Sequence, residues 1–202
     1  MRVRQHVNPL QSFFLRIPIE RLELPDGVPV EVELGSAEAL FLFERAQEDP
    51  GRCYVGVELR RGRVELANQD ALARGLGGRV CSVFANMTVD LPRLLPPARV
   101  SRFFLNFPDP WFKSRQHKRR VMSPGLVDDL VRLLEPGGEI HVASDIFELA
   151  LDAMAALETA GLANKLAPWS FPPSSPFAAR SRRERQCEAE GVRIWRLVYA
   201  TR

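Results

Sequence analysis

The sequence predicts an α/β fold with a mostly parallel sheet, on two observations. Short apolar runs that suit buried strands alternate with longer stretches of helical periodicity along residues 28–200. Clusters of glycine and proline separate many of these stretches, as turns between strands and helices require. Since alternating strands and helices form right-handed βαβ units, the chain is expected to build a parallel sheet.

The elements can be placed in order from these patterns. The predicted strands cover Val28–Leu34, Cys53–Leu59, Arg79–Phe84, Arg102–Phe107, Glu139–Ala143 and Arg193–Ala200. The predicted helices cover Ala37–Gln47, Arg60–Leu76, Ser123–Leu134 and Asp145–Thr159, with a short helix or turn over Val89–Leu95. Ser123 and Asp145 are expected to cap the last two helices. A hard turn is expected over Glu135–Gly138, and the Pro- and Ser-rich segment Trp169–Ser181 is expected to be a loop.

Length and composition limit the classes of protein to which this chain can belong. The 202 residues suit one domain, expected over 28–202, preceded by residues 1–27 as an extended arm or a poorly ordered tail. The three cysteines form no CxxC pair, which argues against a zinc site or a disulfide framework and favours a reducing cytoplasm. No apolar run is long enough to span a membrane.

Five residues follow the ends of successive predicted strands: Gly35, Glu58, Asn86, Asp109 and Asp145. The carboxyl ends of parallel strands meet at one edge of a sheet, and ligands of such sheets bind there. We therefore expect these residues to line one rim.

The first strand leads through Glu33 and Gly35 into a helix. The G-x-G-x-x-G pattern of dinucleotide-binding proteins is missing, because Ser36, Ala37 and Ala39 occupy its neighbourhood. Gly35 alone is equally consistent with a turn residue. This pattern argues against a site that cradles a pyrophosphate.

Glu58 and Asn86 are the next candidate ligands. An acidic residue after the second strand is where such a sheet grips the ribose hydroxyls of a nucleoside, although a surface glutamate would look the same. Asn86 suits a hydrogen bond to an adenine edge, or simply a polar turn.

The most unusual segment is Phe103–Arg120, FFLNFPDPWFKSRQHKRR. Pro108 and Pro110 end the strand and hold Asp109 at its exit. A cationic run follows that carries no compensating acid, so it favours phosphate contacts over an ordinary solvated helix. Its members are Lys113, Arg115, Lys118, Arg119 and Arg120. A second group of cations, in SRRER at 181–185, indicates either an exposed loop or another substrate contact.

Taken together, these residues resemble the bacterial tRNA (guanine-N7-)-methyltransferase family over about 28–202. The most specific block is FPDPW at 107–111 with Lys113 and HKRR at 117–120. Supporting pieces are ELG at 33–35, VGVEL at 55–59, PGG at 136–138, ASD at 143–145 and the closing IWRLVY. The resemblance implies the class I methyltransferase (Rossmann-like) fold, a mostly parallel sheet with helices on both faces and an antiparallel C-terminal strand.

The resemblance also implies S-adenosyl-L-methionine as cofactor and tRNA as substrate, methylated at the guanine of position 46. Glu33, Gly35, Glu58, Asn86 and Asp109 would contact the cofactor. Asp109 would also be the acidic residue of the reaction centre.

The substrate contacts implied by the family are Lys113 and Asp145, with Ser181 to Glu184 in place of its Thr-x-x-Glu motif. Arg115, Lys118, Arg119 and Arg120 would bind the RNA backbone. Two alternatives stay open, a methyltransferase acting on an exocyclic base nitrogen and a non-catalytic RNA-binding protein of the same fold. A protein without metal or membrane partners is expected, as a monomer, with a dimer left open.

Overall fold

In the computed structural model, residues 18–109 and 122–201 are described, and they form one seven-stranded sheet. The strands are β1 (Val30–Leu34), β2 (Cys53–Glu58), β3 (Val80–Phe84), β4 (Val100–Asn106), β5 (Leu134–Ser144), β6 (Ala163–Asn164) and β7 (Trp195–Ala200). Their order across the sheet is β3-β2-β1-β4-β5-β7-β6. Strands β1 to β5 run parallel, and β7 lies antiparallel between β5 and β6. The predicted sheet and its antiparallel C-terminal strand are confirmed.

Helices cover both faces of this sheet. They are α1 (Leu40–Glu48), α2 (Arg61–Ala73), α3 (Leu91–Leu94), α4 (Pro124–Leu133), α5 (Phe147–Thr159) and α6 (Arg182–Glu190). One apolar cluster joins α1 and α2 through residues such as Phe41 and Ala67, whereas a larger one joins α3, α4 and α5 through residues such as Leu94, Leu130 and Met154. Strands β1 and β2 are buried along their whole length, as central parallel strands must be when both faces are covered.

The structure corrects three sequence predictions. Helix α6 was missed, because its sequence is charged and only Glu184 and Cys187 are buried. The turn at Glu135–Gly138 lies inside β5, where the pairing register with β4 jumps and Gly137 takes a φ of 77°. Asp145 does not cap α5: Ile146 holds that position, and its N–H donates to the Ser144 hydroxyl at 3.0 Å.

The predicted N-terminal arm falls mostly outside the described residues, which begin at 18. Its last part packs against the domain: Ile19, Leu22 and Leu24 contact the larger core cluster. The backbone N–H of Leu22 donates to the carbonyl of Leu94 at 2.9 Å. Residues 18–27 are therefore held on the domain surface by both apolar and backbone contacts.

Candidate active site at the carboxyl edge of the sheet

An open cleft of about 980 Å³ lies at the carboxyl ends of β1 and β4. The β1–α1 turn forms one wall, the exit of β4 with Asn106 and Phe107 forms the floor, and α6 closes the other side with Arg182, Arg183 and Gln186. Parallel topology explains the position, because consecutive strands deliver their following loops to this edge. Of the five residues predicted to share one rim, Gly35 lines this cleft, whereas Glu58, Asn86, Asp109 and Asp145 are not among its lining residues.

Glu33 is the buried acid of the cleft, only 4% exposed. One carboxylate oxygen accepts a hydrogen bond from the Asn106 side-chain amide at 2.9 Å, whereas Oε2 has no partner among the described residues. Burial raises the pKa of Glu33 to about 8, helped by the nearby charge of Glu58 and opposed by the bond from Asn106. Such an orphaned oxygen is adapted to a cationic ligand group.

The turn after β1 has a glycine-like backbone although Gly35 is its one glycine. Gly35 has a φ of 78°, and Ala37 and Ala39 also lie in the left-handed region, at 48° and 58°. Beneath the turn, a Cβ at Gly56 would come within 2.4 Å of the Ser36 hydroxyl, so only glycine fits there. The left-handed backbone of this turn strains two alanines, Ala37 and Ala39.

This strain gives a testable prediction. We expect Ala37→Gly to raise the free energy of unfolding by about 1 kcal/mol, because glycine adopts positive φ without a clash. Urea unfolding monitored by circular dichroism provides the measurement. The matched control is Ala155→Gly in the middle of α5, an exposed helical position where glycine should cost about 1 kcal/mol. Equal destabilisation by the two changes would show that Ala37 does not occupy the left-handed region.

Glu58 is held by a network of donors at the end of β2. Its carboxylate accepts hydrogen bonds from the backbone N–H groups of Ala37 and Arg60, both at 3.0 Å. The Arg60 guanidinium adds two more bonds, each at 2.9 Å. These contacts tie the β1–α1 turn to the end of β2, so that Glu58 organises the cleft wall as well as presenting a carboxylate.

Asp109 also affects the Arg60 guanidinium, through its negative charge. The pKa of Arg60 is raised, first by its hydrogen bonds to Glu58, and the negative charge of Asp109 adds to the rise. Asp109 follows Phe107, which lines the cleft with a φ of 51°. A bulky residue with positive φ is strained, and such strain is typical of functional sites. Glu33, Glu58 and Asp109 thus lie near the carboxyl ends of three neighbouring parallel strands, β1, β2 and β4.

Asn86 is fully buried after β3 and holds the backbone of its own loop. Its side-chain oxygen accepts from the N–H and the hydroxyl of Thr88, at 3.0 and 2.8 Å. Its own N–H donates to the buried carboxylate of Asp90 at 2.8 Å. That oxygen is therefore engaged within the loop that follows β3.

The predicted substrate residues near α6 have partners within the protein. Asp145 accepts from the Arg183 guanidinium at 2.5 and 3.2 Å. The Ser181 hydroxyl caps α6 by accepting from the N–H of Glu184 at 3.2 Å. The buried Glu184 side chain accepts from Arg196 at 2.8 Å. These contacts fasten α6 to the ends of β5 and β7, beside the cleft.

Five predicted sites lie outside the described residues: Lys113, Arg115, Lys118, Arg119 and Arg120. Sequence reasoning missed Asn106, which lines the cleft, and Arg60, which bonds Glu58. The α6 cations that line the cleft, Arg182 and Arg183, belong to the SRRER group that the sequence analysis singled out. Asn106 stands at a strand end and could have been found by the same rule that found Asp109. Arg60 could not, because nothing in its local pattern separates it from a surface cation.

Among residues 18–109 and 122–201, no cluster of three metal-ligating side chains occurs, and no helix is long and apolar enough to cross a membrane.

Comparisons with known proteins agree with this geometry. A family model described as putative methyltransferase matches residues 28–197. The chain is 40% identical over 201 residues to the tRNA (guanine-N(7)-)-methyltransferase of Synechococcus sp. (strain JA-3-3Ab), covering 96% of this chain and 84% of that protein. It is 34% identical to the protein of the same name from Thermosynechococcus vestitus, with 97% and 93% covered.

Solved structures share the fold at low sequence identity. The 16S rRNA methyltransferase KamB matches with a TM-score of 0.62 and 16% identity, covering 85% of this chain and 87% of its own. A SAM-dependent methyltransferase from Aquifex aeolicus matches with a TM-score of 0.59 and 12% identity, covering 86% and 84%. The class I methyltransferase fold is thereby established for this chain.

Proposed function

Because this chain belongs to the tRNA (guanine-N(7)-)-methyltransferase family, we propose that it methylates the guanine at position 46 of tRNA, with Asp109 at the reaction centre. The methyl donor is S-adenosyl-L-methionine, the cofactor of the family and of structural neighbours. The observation that carries the proposal is the convergence of three acids. Glu33, Glu58 and Asp109 lie near the carboxyl ends of the neighbouring parallel strands β1, β2 and β4, and Glu58 bonds both Arg60 and the β1–α1 turn.

The described residues fit the cofactor. S-adenosylmethionine carries an ammonium group and a sulfonium, and the orphaned oxygen of Glu33 offers a carboxylate beside the open turn at Gly35. The Glu58 carboxylate would bind ribose hydroxyls, in exchange for one or both bonds from Arg60. Asn86 would support the adenine through its loop. When bound, the cofactor supplies an electrophilic methyl group.

The proposed reaction needs little acid–base catalysis from the protein. Guanine N7 has a lone pair and no proton, so no general base is needed. As the N7–carbon bond forms and the sulfur–carbon bond breaks, the purine becomes cationic. The Asp109 carboxylate would stabilise the positive charge on the purine, or accept hydrogen bonds from N1 and N2 of the guanine. In-line alignment of base and methyl group supplies the rest of the rate enhancement.

The remaining site residues would hold the tRNA. We propose that Lys113, Arg115, Lys118, Arg119 and Arg120 neutralise backbone phosphates, which makes the affinity fall steeply with salt. Asp145 and Ser181 to Glu184 would act near the target nucleotide, where Arg183 and α6 border the cleft. We also propose that the enzyme is monomeric and cytoplasmic. Its three unpaired cysteines are consistent with a reducing compartment.

The proposal is tested by methyl transfer to a defined position. Unmodified tRNA is incubated with radiolabelled cofactor, then treated with the borohydride and aniline chemistry that cleaves at N7-methylguanine, and the cut is mapped. We expect one cut at position 46, and none in a matched tRNA with adenine at that position. A cut elsewhere would contradict the proposed position, and labelled tRNA without a cut would indicate a different base nitrogen.

A further inference from the structure

Three aromatic rings form a cluster beside α6, in which Phe147 is exposed and Phe171 and Trp195 are partly buried. The ring centroids of Phe147 and Trp195 are 4.4 Å apart, those of Phe171 and Trp195 are 5.1 Å apart, and those of Phe147 and Phe171 are 6.1 Å apart. Phe147 is 41% exposed, although it is large and apolar. We call these three residues the aromatic platform. Exposed apolar rings that gather in one place mark binding surfaces more often than ordinary surface.

The aromatic platform lies at the same edge of the sheet as the candidate active site. Trp195 begins β7 and pairs with Ser144, the last residue of β5. Phe147 begins α5, two residues after Asp145. Helix α6 connects the two regions, because Arg183 and Gln186 line the active-site cleft whereas Glu188 lines a second cleft of about 920 Å³ that contains Phe171 and Trp195.

The charge beside Trp195, on one side of the aromatic platform, favours an anionic partner. The Arg193 guanidinium lies 3.9 Å from the centroid of the Trp195 ring and has no ion pair within residues 18–109 and 122–201. Glu188, the acid of this cleft, is already paired with Arg180 at 2.9 Å. An aromatic surface with an exposed guanidinium suits stacked bases and the phosphates between them.

We propose that the aromatic platform and Arg193 bind unpaired nucleotides of the tRNA next to the guanine in the cleft. This inference rests on the proposed function, since it takes tRNA as the substrate. Stacking on Phe147 and Trp195 is independent of base identity, so the surface would add affinity and hold the target loop in register. It would leave cofactor binding untouched, because none of these residues lines the cleft that contains Glu33.

The test compares Phe147→Ala and Arg193→Ala with two matched controls. Leu72→Ala removes another exposed apolar side chain, on α2, and Arg132→Ala removes another exposed guanidinium, on α4. Dissociation constants for tRNA come from filter binding and those for S-adenosylhomocysteine from calorimetry. We expect each platform variant to weaken tRNA binding about tenfold, with cofactor affinity within twofold of wild type and both controls unchanged.

Two results would overturn the inference. The first is wild-type tRNA affinity in Arg193→Ala, a surface change that keeps the test valid even if Phe147→Ala unfolds. The second concerns the oligomeric state measured by sedimentation. If the wild type were a dimer, and Phe147→Ala were a monomer with unchanged tRNA affinity, the platform would bind a second copy of the chain instead of tRNA. Failure of the wild type to methylate tRNA would instead defeat the proposed function.

Discussion

Replacing Asp109 with alanine is expected to slow methyl transfer by about 10²–10³-fold while leaving tRNA binding within about twofold of wild type. The carboxylate faces a purine that gains a positive charge only as the bond to N7 forms, so its contribution is largest in the transition state. The cations proposed to hold the tRNA backbone are separate from it. Single-turnover rates at saturating tRNA and cofactor, with tRNA affinity measured separately, give the two quantities.

Asp109→Asn separates the two roles open to this residue. Asparagine keeps an acceptor oxygen for the guanine edge but loses the charge. A rate as low as that of Asp109→Ala would assign Asp109 to charge stabilisation, and a substantially recovered rate would assign it to hydrogen bonding. Asp128→Ala, an exposed acid on α4, is the control and should change neither quantity. Equal loss of turnover and tRNA binding in Asp109→Ala would contradict its place at the reaction centre.

Glu33→Gln is expected to stabilise the cofactor-free protein and to abolish tight cofactor binding. The pKa of this buried carboxyl is raised from 4.5 to about 8. Between these values the unfolded chain loses the proton and the folded chain keeps it, so stability from this group is fully present below pH 4.5 and is lost as the pH rises towards 8. Near pH 7 the cost is on the order of 3 kcal/mol, and glutamine, which cannot ionise, avoids it.

Urea unfolding of wild type and Glu33→Gln at pH 4.5 and pH 7.5 measures this effect. The variant should gain stability at the higher pH and match wild type at the lower. Glu65→Gln on α2, an exposed position, is the control and should show no such pH dependence. In the wild type, calorimetry in buffers of different ionisation enthalpy should show proton release on cofactor binding at pH 7, because a cationic ligand favours the charged carboxylate. A variant that binds cofactor as tightly as wild type would refute the role of Glu33.

Much of the site could be predicted because it follows from topology. Gly35, Glu58 and Asp109 stand at strand ends, and parallel strands must bring those ends together. Local sequence also predicts strands at β1 to β5, because each contains a short run rich in β-branched or aromatic residues.

The parts that were missed depend on contacts between distant residues. Helix α6 has no apolar stripe, and its position comes from ion pairs such as Arg196 with Glu184 and Arg183 with Asp145. The hydrogen bonds from Arg60 to Glu58 form between side chains, and no sequence periodicity predicts them. The left-handed backbone of Ala37 and Ala39 goes against the preference of alanine, and it accompanies tertiary contacts of the turn, the packing of Ser36 on Gly56 and the bond from Ala37 to Glu58.

The central claim is that the cofactor binds between the β1–α1 turn and the Asp109 segment. A crystal structure with S-adenosylhomocysteine tests it most directly. We predict that its amino group contacts Glu33, that its ribose hydroxyls contact Glu58 with Arg60 displaced, and that its sulfur faces the side of the cleft where Asp109 lies. A homocysteine moiety bound away from Glu33, or an Asp109 side chain turned away from the sulfur, would contradict the account.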